Sequence, residues 1–167
     1  MKFDQLAIHV NRLEEYHRLA MANACTVEDT VVARGRVFGS DLIENTARLA
    51  FNYSRWPMEF EVLFYERGDN WLSRPVNIRT RTYRSSGLSH YGMNLPDQRA
   101  MLEWKEKLGR HKVAQEVVTL SHKNEVIAGK RWYHYVVYDT YQEMGADIKL
   151  ILRLNSEEER DAALAAL

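Results

Sequence analysis

Seven polar residues lie on four segments whose apolar side chains alternate as they do in β-strands. Successive side chains of a strand point to opposite faces, so the polar residues of each segment share the face opposite its apolar residues. Carboxylate, imidazole and amide groups bind divalent metals or exchange protons, and lysine and arginine hold anions. These candidate site residues are Gln5, His9, Glu61, His90, Asn94, Lys149 and Arg153. If the apolar faces pack against helices, the polar faces line one cavity.

The sequence around these residues predicts a repeated layout. The four segments that carry them cover residues 3–10, 59–65, 88–95 and 148–154. β-Branched and aromatic residues bounded by turn residues predict further strands at 30–38, 46–53, 113–122 and 130–139. Apolar residues at helical spacing predict helices at 11–23, 96–108 and 156–167. Each half of the chain therefore runs strand, helix and three strands.

This layout predicts an α+β fold built from two βαβββ modules. Each module is expected to form a curled mixed sheet with helices outside, and the two sheets are expected to enclose the cavity. An arginine-rich stretch with little periodicity predicts the boundary between the modules. Module 1 then covers residues 1–66, a linker covers 67–87 and module 2 covers 88–167, all within a single domain at 1–167.

Composition narrows the range of partners. Lys plus Arg total 23 and Asp plus Glu total 23, and this balance speaks against a nucleic-acid surface, which needs a concentrated basic excess. No apolar run approaches the roughly 20 residues that span a bilayer. The opening residues MKFDQ carry an acid where a signal peptide has its apolar stretch. We therefore expect a cytoplasmic protein whose partner is a small molecule, with neither nucleic acid nor membrane involved.

Three of the strand segments resemble a known family. FDQLAI at 3–8, EFEVL at 59–63 and LSHYGMNLPD at 88–97 are similar to the opening strands and the fourth strand of the vicinal oxygen chelate superfamily. Its members include glyoxalase I, bleomycin-resistance proteins and extradiol dioxygenases. The resemblance covers nearly the whole chain in layout, although each motif is short. It implies the same paired βαβββ fold, and it implies a homodimer because members of the family often dimerise.

The resemblance also implies a metal site. The family has metal ligands on the first and last strands of each half, and those positions match Gln5, Glu61, His90 and Lys149. The first three suit Zn²⁺, Ni²⁺, Fe²⁺ or Mn²⁺. Lys149 departs from the pattern, because the family usually has an acid there and a protonated ammonium has no lone pair to offer a metal.

Two functions follow from the resemblance, and Lys149 leaves both open. The first is a glyoxalase-like metalloenzyme, a lyase or isomerase acting on a small oxygen-rich metabolite bound to a divalent metal. Glu61 is then a metal ligand or the catalytic proton acceptor, while the residues expected to contact substrate are His9, Asn94, Lys149 and Arg153. The two basic residues among them favour a carboxylate or phosphate. The alternative is a metal-free protein that binds or sequesters an aromatic or cationic small molecule, as resistance members of the family do, with Lys149 paired to Glu61.

Overall fold

A single mixed sheet of ten strands, with four helices, forms the described part of the molecule. The computed structural model describes residues 3–10, 12–28, 30–37, 40–41, 47–65, 87–121 and 131–167. The strands are β1 (Gln5–Val10), β2 (Thr26–Glu28), β3 (Thr30–Val37), β4 (Ser40–Asp41), β5 (Ala47–Asn52), β6 (Glu59–Tyr65), β7 (Gly87–Leu95), β8 (Val113–Ser121), β9 (Arg131–Tyr138) and β10 (Asp147–Leu154). The helices are α1 (Leu13–Ala22), α2 (Gln98–Lys107), α3 (Tyr141–Met144) and α4 (Glu157–Ala166).

The order of strands contains two matching halves. The first half runs β2-β5-β6-β1 and the second runs β7-β10-β9-β8, with β1 and β7 antiparallel at the centre. Within each half the first and last strands pair in parallel, β1 with β6 and β7 with β10. The prediction of a curled mixed sheet of βαβββ type with helices outside is confirmed. The predicted linker lies outside the described residues apart from Gly87, so the module boundary stays a prediction.

The predicted strand at 30–38 is present as β3 (Thr30–Val37), but it does not pair within the first half as expected. β2 precedes it and pairs with β5 in the first half, whereas β3 pairs with β8 in the second half. One residue separates β2 from β3, yet β2 is the first strand in the order of the sheet and β3 is the ninth. Gly35 permits the pairing with β8, because a Cβ atom there would lie 2.5 Å from Cγ1 of Val117.

Alternation along the strands separates an apolar outer face from the interior. In the second half, Leu150, Leu152 and Leu154 belong to the core that also includes Met101 of α2 and Ala163 of α4. A smaller core in the first half packs strand residues against α1. The predicted apolar faces therefore meet the helices, and the polar faces of the same strands point into the sheet's interior. None of the helices within the described ranges is long and apolar enough to cross a membrane.

Candidate functional site

The four central strands bring four of the predicted residues together. Gln5 on β1, Glu61 on β6, His90 on β7 and Lys149 on β10 are 2%, 1%, 6% and 9% exposed. The register explains the meeting, because Ala7 pairs with both Glu61 and His90, and Gly92 pairs with both Gln5 and Lys149. All four side chains consequently point into the same interior.

A continuous series of polar contacts links these side chains, and we call it the polar chain. Lys149 Nζ lies 3.4 Å from Glu61 Oε2, and His90 Nε2 lies 3.2 Å from the same oxygen. His90 Nε2 is also 3.2 Å from Gln5 Oε1. The Gln5 amide Nε2 then donates to Oε1 of Glu59. The polar chain thus runs from Lys149 through Glu61, His90 and Gln5 to Glu59.

These contacts fix the hydrogen positions on His90. Its Nε2 faces a carboxylate oxygen and an amide oxygen, which both accept, so Nε2 carries the hydrogen. Its Nδ1 lies 3.1 Å from Ser89 Oγ and accepts the hydroxyl hydrogen when the ring is neutral. Burial and the nearby Lys149 ammonium lower the pKa of His90 and favour that neutral ring. In this arrangement Nε2 has no lone pair to offer a metal.

The two glutamates at the ends of this network differ in acidity. Burial raises the pKa of the Glu61 carboxyl, but the Lys149 ammonium and the hydrogen bond with His90 outweigh it and lower the pKa to about 2. Burial raises the pKa of Glu59 to about 7, although the hydrogen bond from Gln5 acts in the opposite direction. A carboxylate as acidic as Glu61 is a weak proton acceptor. Its predicted catalytic role stays a prediction.

Lys149 has a second partner besides Glu61. Its Nζ lies 4.4 Å from the ring centroid of Tyr135, in the geometry of a cation–π contact. A carboxylate and a ring face both attract a positive charge. The ammonium therefore sits among groups that stabilise a cation.

A divalent metal does not fit this arrangement of residues. Three atoms that coordinate metals in proteins do converge, namely Gln5 Oε1, Glu61 Oε2 and His90 Nε2. Lys149 nevertheless shares the same carboxylate oxygen, and a single and a double positive charge about 4 Å apart repel by about 8 kcal/mol at an effective dielectric of about 20. Among the residues that the structure describes, no group of three or more His, Cys, Asp or Glu is placed to hold a metal ion.

A cavity of about 50 Å³ opens beside the Glu59 end of the polar chain. Half of its lining residues are aromatic, and the full set is Gln5, Phe51, Tyr53, Glu59, Asn94, Tyr133, Tyr135 and Ile151. The aromatic rings form two stacked pairs. Phe51 and Tyr53 have centroids 5.8 Å apart with an interplanar angle of 12°, and Tyr133 and Tyr135 are 5.5 Å apart at 11°. Glu59 is the acidic residue of this wall, and no lysine or arginine is among the described residues that line it.

The other predicted site residues lie in different surroundings. Asn94 is exposed at the cavity wall, where its backbone N–H and side-chain amide both donate to Asp4 Oδ1. His9 is 2% exposed on the interior face of β1, but it does not line the cavity. Arg153 is exposed near the end of β10 and also lies away from the cavity wall. Roles for these residues in substrate binding stay predictions.

Glu59 lines the cavity but is not among the site residues predicted from the sequence, although the strand pattern points to it. Glu59 is two residues from Glu61 on the same strand, so alternation puts both on one face. Tyr133 and Tyr135 are likewise two residues apart on β9, so they share a face, and both line the cavity. Phe51 and Tyr53 depend on how β5 pairs with β6, and no local pattern reveals that register.

Gly92 makes room for the Gln5 side chain. The two residues face each other across β1 and β7, and a Cβ atom at Gly92 would lie 2.4 Å from Gln5 Oε1 and 2.7 Å from Gln5 Cβ. Cβ atoms in proteins essentially never lie within 3.0 Å of atoms in residues that are not adjacent along the chain. The absence of a side chain at Gly92 therefore lets the Gln5 amide lie between Glu59 and His90.

Comparison with solved structures identifies proteins of the same fold. A methylmalonyl-CoA epimerase of Mycobacterium tuberculosis is 11% identical with a TM-score of 0.50, and the match covers 98% of this chain and 91% of that chain. A methylmalonyl-CoA epimerase in complex with methylmalonyl-CoA and NH4+ is 16% identical with a TM-score of 0.50, covering 90% and 93%. A hypothetical protein of Bacillus halodurans C-125 is 11% identical with a TM-score of 0.50, covering 93% and 96%.

These similarities are structural. No protein-family model matches the sequence, and no curated protein matches it significantly. At identities this low, the likeness establishes the fold and nothing finer. The chain has the fold of the vicinal oxygen chelate superfamily, to which methylmalonyl-CoA epimerase belongs, and the resemblance inferred from the sequence is confirmed at that level.

The close approach at Gly92 predicts that Gly92→Ala destabilises the protein. The added methyl must displace Gln5, and overpacking of this kind costs about 1–3 kcal/mol. Urea denaturation measures the change, and the cost should shrink when Gln5→Gly removes the opposing side chain. Gly87→Ala on the same strand is the control, because nothing lies within 4 Å of a Cβ there. Equal costs for the two alanine variants would contradict the assignment.

The buried pair of Lys149 and Glu61 predicts strong coupling between its members. Lys149→Met or Glu61→Gln alone leaves one buried charge without its partner, which costs about 3–5 kcal/mol. The double variant removes both charges and should be at least as stable as either single variant in urea. The exposed pair Arg99–Glu103, at 3.0 Å, serves as the control and should show a coupling of about 0.5 kcal/mol or less. Additive costs at the buried pair would rule the coupling out.

His9 predicts a loss of stability in mild acid. Burial lowers the pKa of His9 from 6.5 to about 4, although the Glu15 carboxylate acts in the opposite direction. The folded state thus resists protonation that the unfolded state accepts, so the stabilisation is complete above pH 6.5 and is lost as the pH falls toward 4. The loss should reach about 3 kcal/mol near pH 4. Unfolding in urea from pH 7.5 to 4 should show this loss in wild type relative to His9→Gln, whereas the exposed His17→Gln should follow wild type.

Proposed function

We propose that the cavity binds a small flat molecule that carries an amine or another cationic group, and that it does so without a divalent metal. One observation carries the proposal. The cavity wall combines two stacked aromatic pairs with the Glu59 carboxyl group, while the Lys149 ammonium is engaged by Glu61 and Tyr135. This is the metal-free alternative that the sequence left open.

The chemistry of the lining supports a cationic or aromatic ligand over an anionic one. Ring faces stack on flat ligands and attract cations, and a cation–π contact contributes about 0.5–2 kcal/mol. The Glu59 carboxylate, when ionised, adds a charge-assisted hydrogen bond to an ammonium. A ligand carboxylate or phosphate would meet Glu59 and the ring faces, with no lysine or arginine among the described lining residues to hold it.

A second candidate is a lyase or isomerase acting on a small oxygen-rich metabolite bound to Zn²⁺, Ni²⁺, Fe²⁺ or Mn²⁺. The convergence of Gln5 Oε1, Glu61 Oε2 and His90 Nε2 favours it, as does a fold shared with an epimerase in complex with methylmalonyl-CoA. A bound metal would polarise a substrate carbonyl. This candidate requires Lys149 to leave or to lose its proton.

Three probes that share an indole ring test the ligand class. Tryptamine carries an amine, tryptophol a hydroxyl and indole-3-acetate a carboxylate, and calorimetric titration of wild type in EDTA measures the affinity of each. We expect tryptamine to bind at least about tenfold more tightly than indole-3-acetate, which corresponds to about 1.4 kcal/mol.

Variants assign the preference to the cavity. Glu59→Gln should lower the affinity for tryptamine several-fold and change that for tryptophol little, because only the amine uses the carboxylate. Glu103→Gln, an exposed carboxyl on α2, is the matched control and should leave both affinities unchanged. Tighter binding of indole-3-acetate, or no binding of any probe, would overturn the proposed ligand class. About one equivalent of metal per chain after purification without chelator would favour the second candidate.

A further inference from the structure

We infer that the Lys149 ammonium fills a built cation site, formed by Glu61 and Tyr135 beside Gln5 and His90, and thereby keeps divalent metals out of it. The inference rests on the metal-free function proposed above and extends it by naming the group that enforces it. It also identifies a metal site that a single substitution would open.

Burial and contacts identify this position as a cation site. Lysine is rarely buried without a partner, and Lys149 is only 9% exposed. Its Nζ lies 3.4 Å from Oε2 of Glu61, a residue that is only 1% exposed, and 4.4 Å from the centroid of the Tyr135 ring. Anionic oxygen and an aromatic face both stabilise a desolvated positive charge.

The contacts also explain why the native chain excludes a metal. The same oxygen, Glu61 Oε2, receives both Lys149 Nζ and His90 Nε2, and His90 Nε2 additionally donates to Gln5 Oε1. The atoms able to coordinate a metal are therefore already engaged with one another. A metal would have to displace the Lys149 ammonium, which is covalently attached and therefore always present at the site. It would also have to replace the hydrogen on His90 Nε2.

Replacement of the ammonium by a carboxylate reverses this situation. Lys149→Glu puts a second acid beside Glu61, His90 and Gln5, so four oxygen and nitrogen donors then surround one position. Lys149→Met retains an unbranched side chain and removes the charge, and its thioether is a much weaker ligand for Zn²⁺ and Ni²⁺ than a carboxylate, so it relieves the repulsion while adding no strong ligand. The two variants separate the effect of charge from the effect of coordination.

Titration calorimetry with ZnCl2 and NiCl2 at neutral pH tests the inference on the full chain. Wild type should bind neither metal at this site, whereas Lys149→Glu should bind about one equivalent at least tenfold more tightly, and Lys149→Met should fall between them. Lys112→Glu, the same substitution at an exposed lysine, should behave like wild type. The gain of Lys149→Glu should disappear when His90→Ala is added.

Each other outcome overturns the inference. Wild type that binds one equivalent as tightly as Lys149→Glu would show that the ammonium excludes nothing. A gain that survives His90→Ala would put the new metal elsewhere. If Lys149→Glu does not fold, as judged by circular dichroism, the inference would be overturned by a Lys149→Met variant whose metal affinity equals that of wild type. The indole titrations use wild type in EDTA, so their failure would overturn the ligand class and leave this inference standing. A lack of any gain in Lys149→Glu would overturn this inference and leave the ligand class standing, whereas tight metal binding by wild type would favour the second candidate.

Discussion

The buried ion pair between Lys149 and Glu61 is the interaction on which the interior of this protein depends. Neither charge is tolerable there alone, because desolvation penalises an isolated ion far more than a paired one. The pair also orients its neighbours. Glu61 accepts a hydrogen bond from His90 Nε2, which also donates to Gln5 Oε1. This orients the Gln5 amide so that its Nε2 donates to Glu59. An interaction far inside the sheet thereby determines which atoms are presented at the cavity wall.

The backbone arrangement accommodates these buried polar contacts without distorting the sheet. Four adjacent central strands present alternate residues to the interior, and their opposite faces pack against helices in two apolar cores. A glycine stands where the Gln5 side chain crosses β7, so the amide needs no displacement of the sheet. The polar interior is thus supported from outside by ordinary apolar packing, which stabilises the fold irrespective of what the interior binds.

Local patterns in the sequence predicted the parts of this structure that alternation controls. The period of two placed Gln5, Glu61, His90 and Lys149 on interior faces, and β6 begins and ends at the predicted residues. Features that depend on pairing between distant segments were not predictable in the same way. β2 and β3 are separate strands because they pair with different partners. The residues of β2 pair with residues of β5 more than 20 positions along the chain, and those of β3 pair with residues of β8 more than 75 positions along. Arg153 shares its parity with Lys149 yet is exposed, because parity does not tell how far along a strand the interior extends.

The attachment of β3 to the second half has a consequence for synthesis. Its partner β8 begins at Val113, so until about two-thirds of the chain has been synthesised the edge of β3 that will face β8 has a row of unpaired backbone N–H and C=O groups. The first half leaves the ribosome long before residues 113–121 emerge, and chains in that interval present an open strand edge to one another. The nascent chain is therefore most exposed to aggregation during translation of its second half, and that exposure ends when β8 pairs with β3.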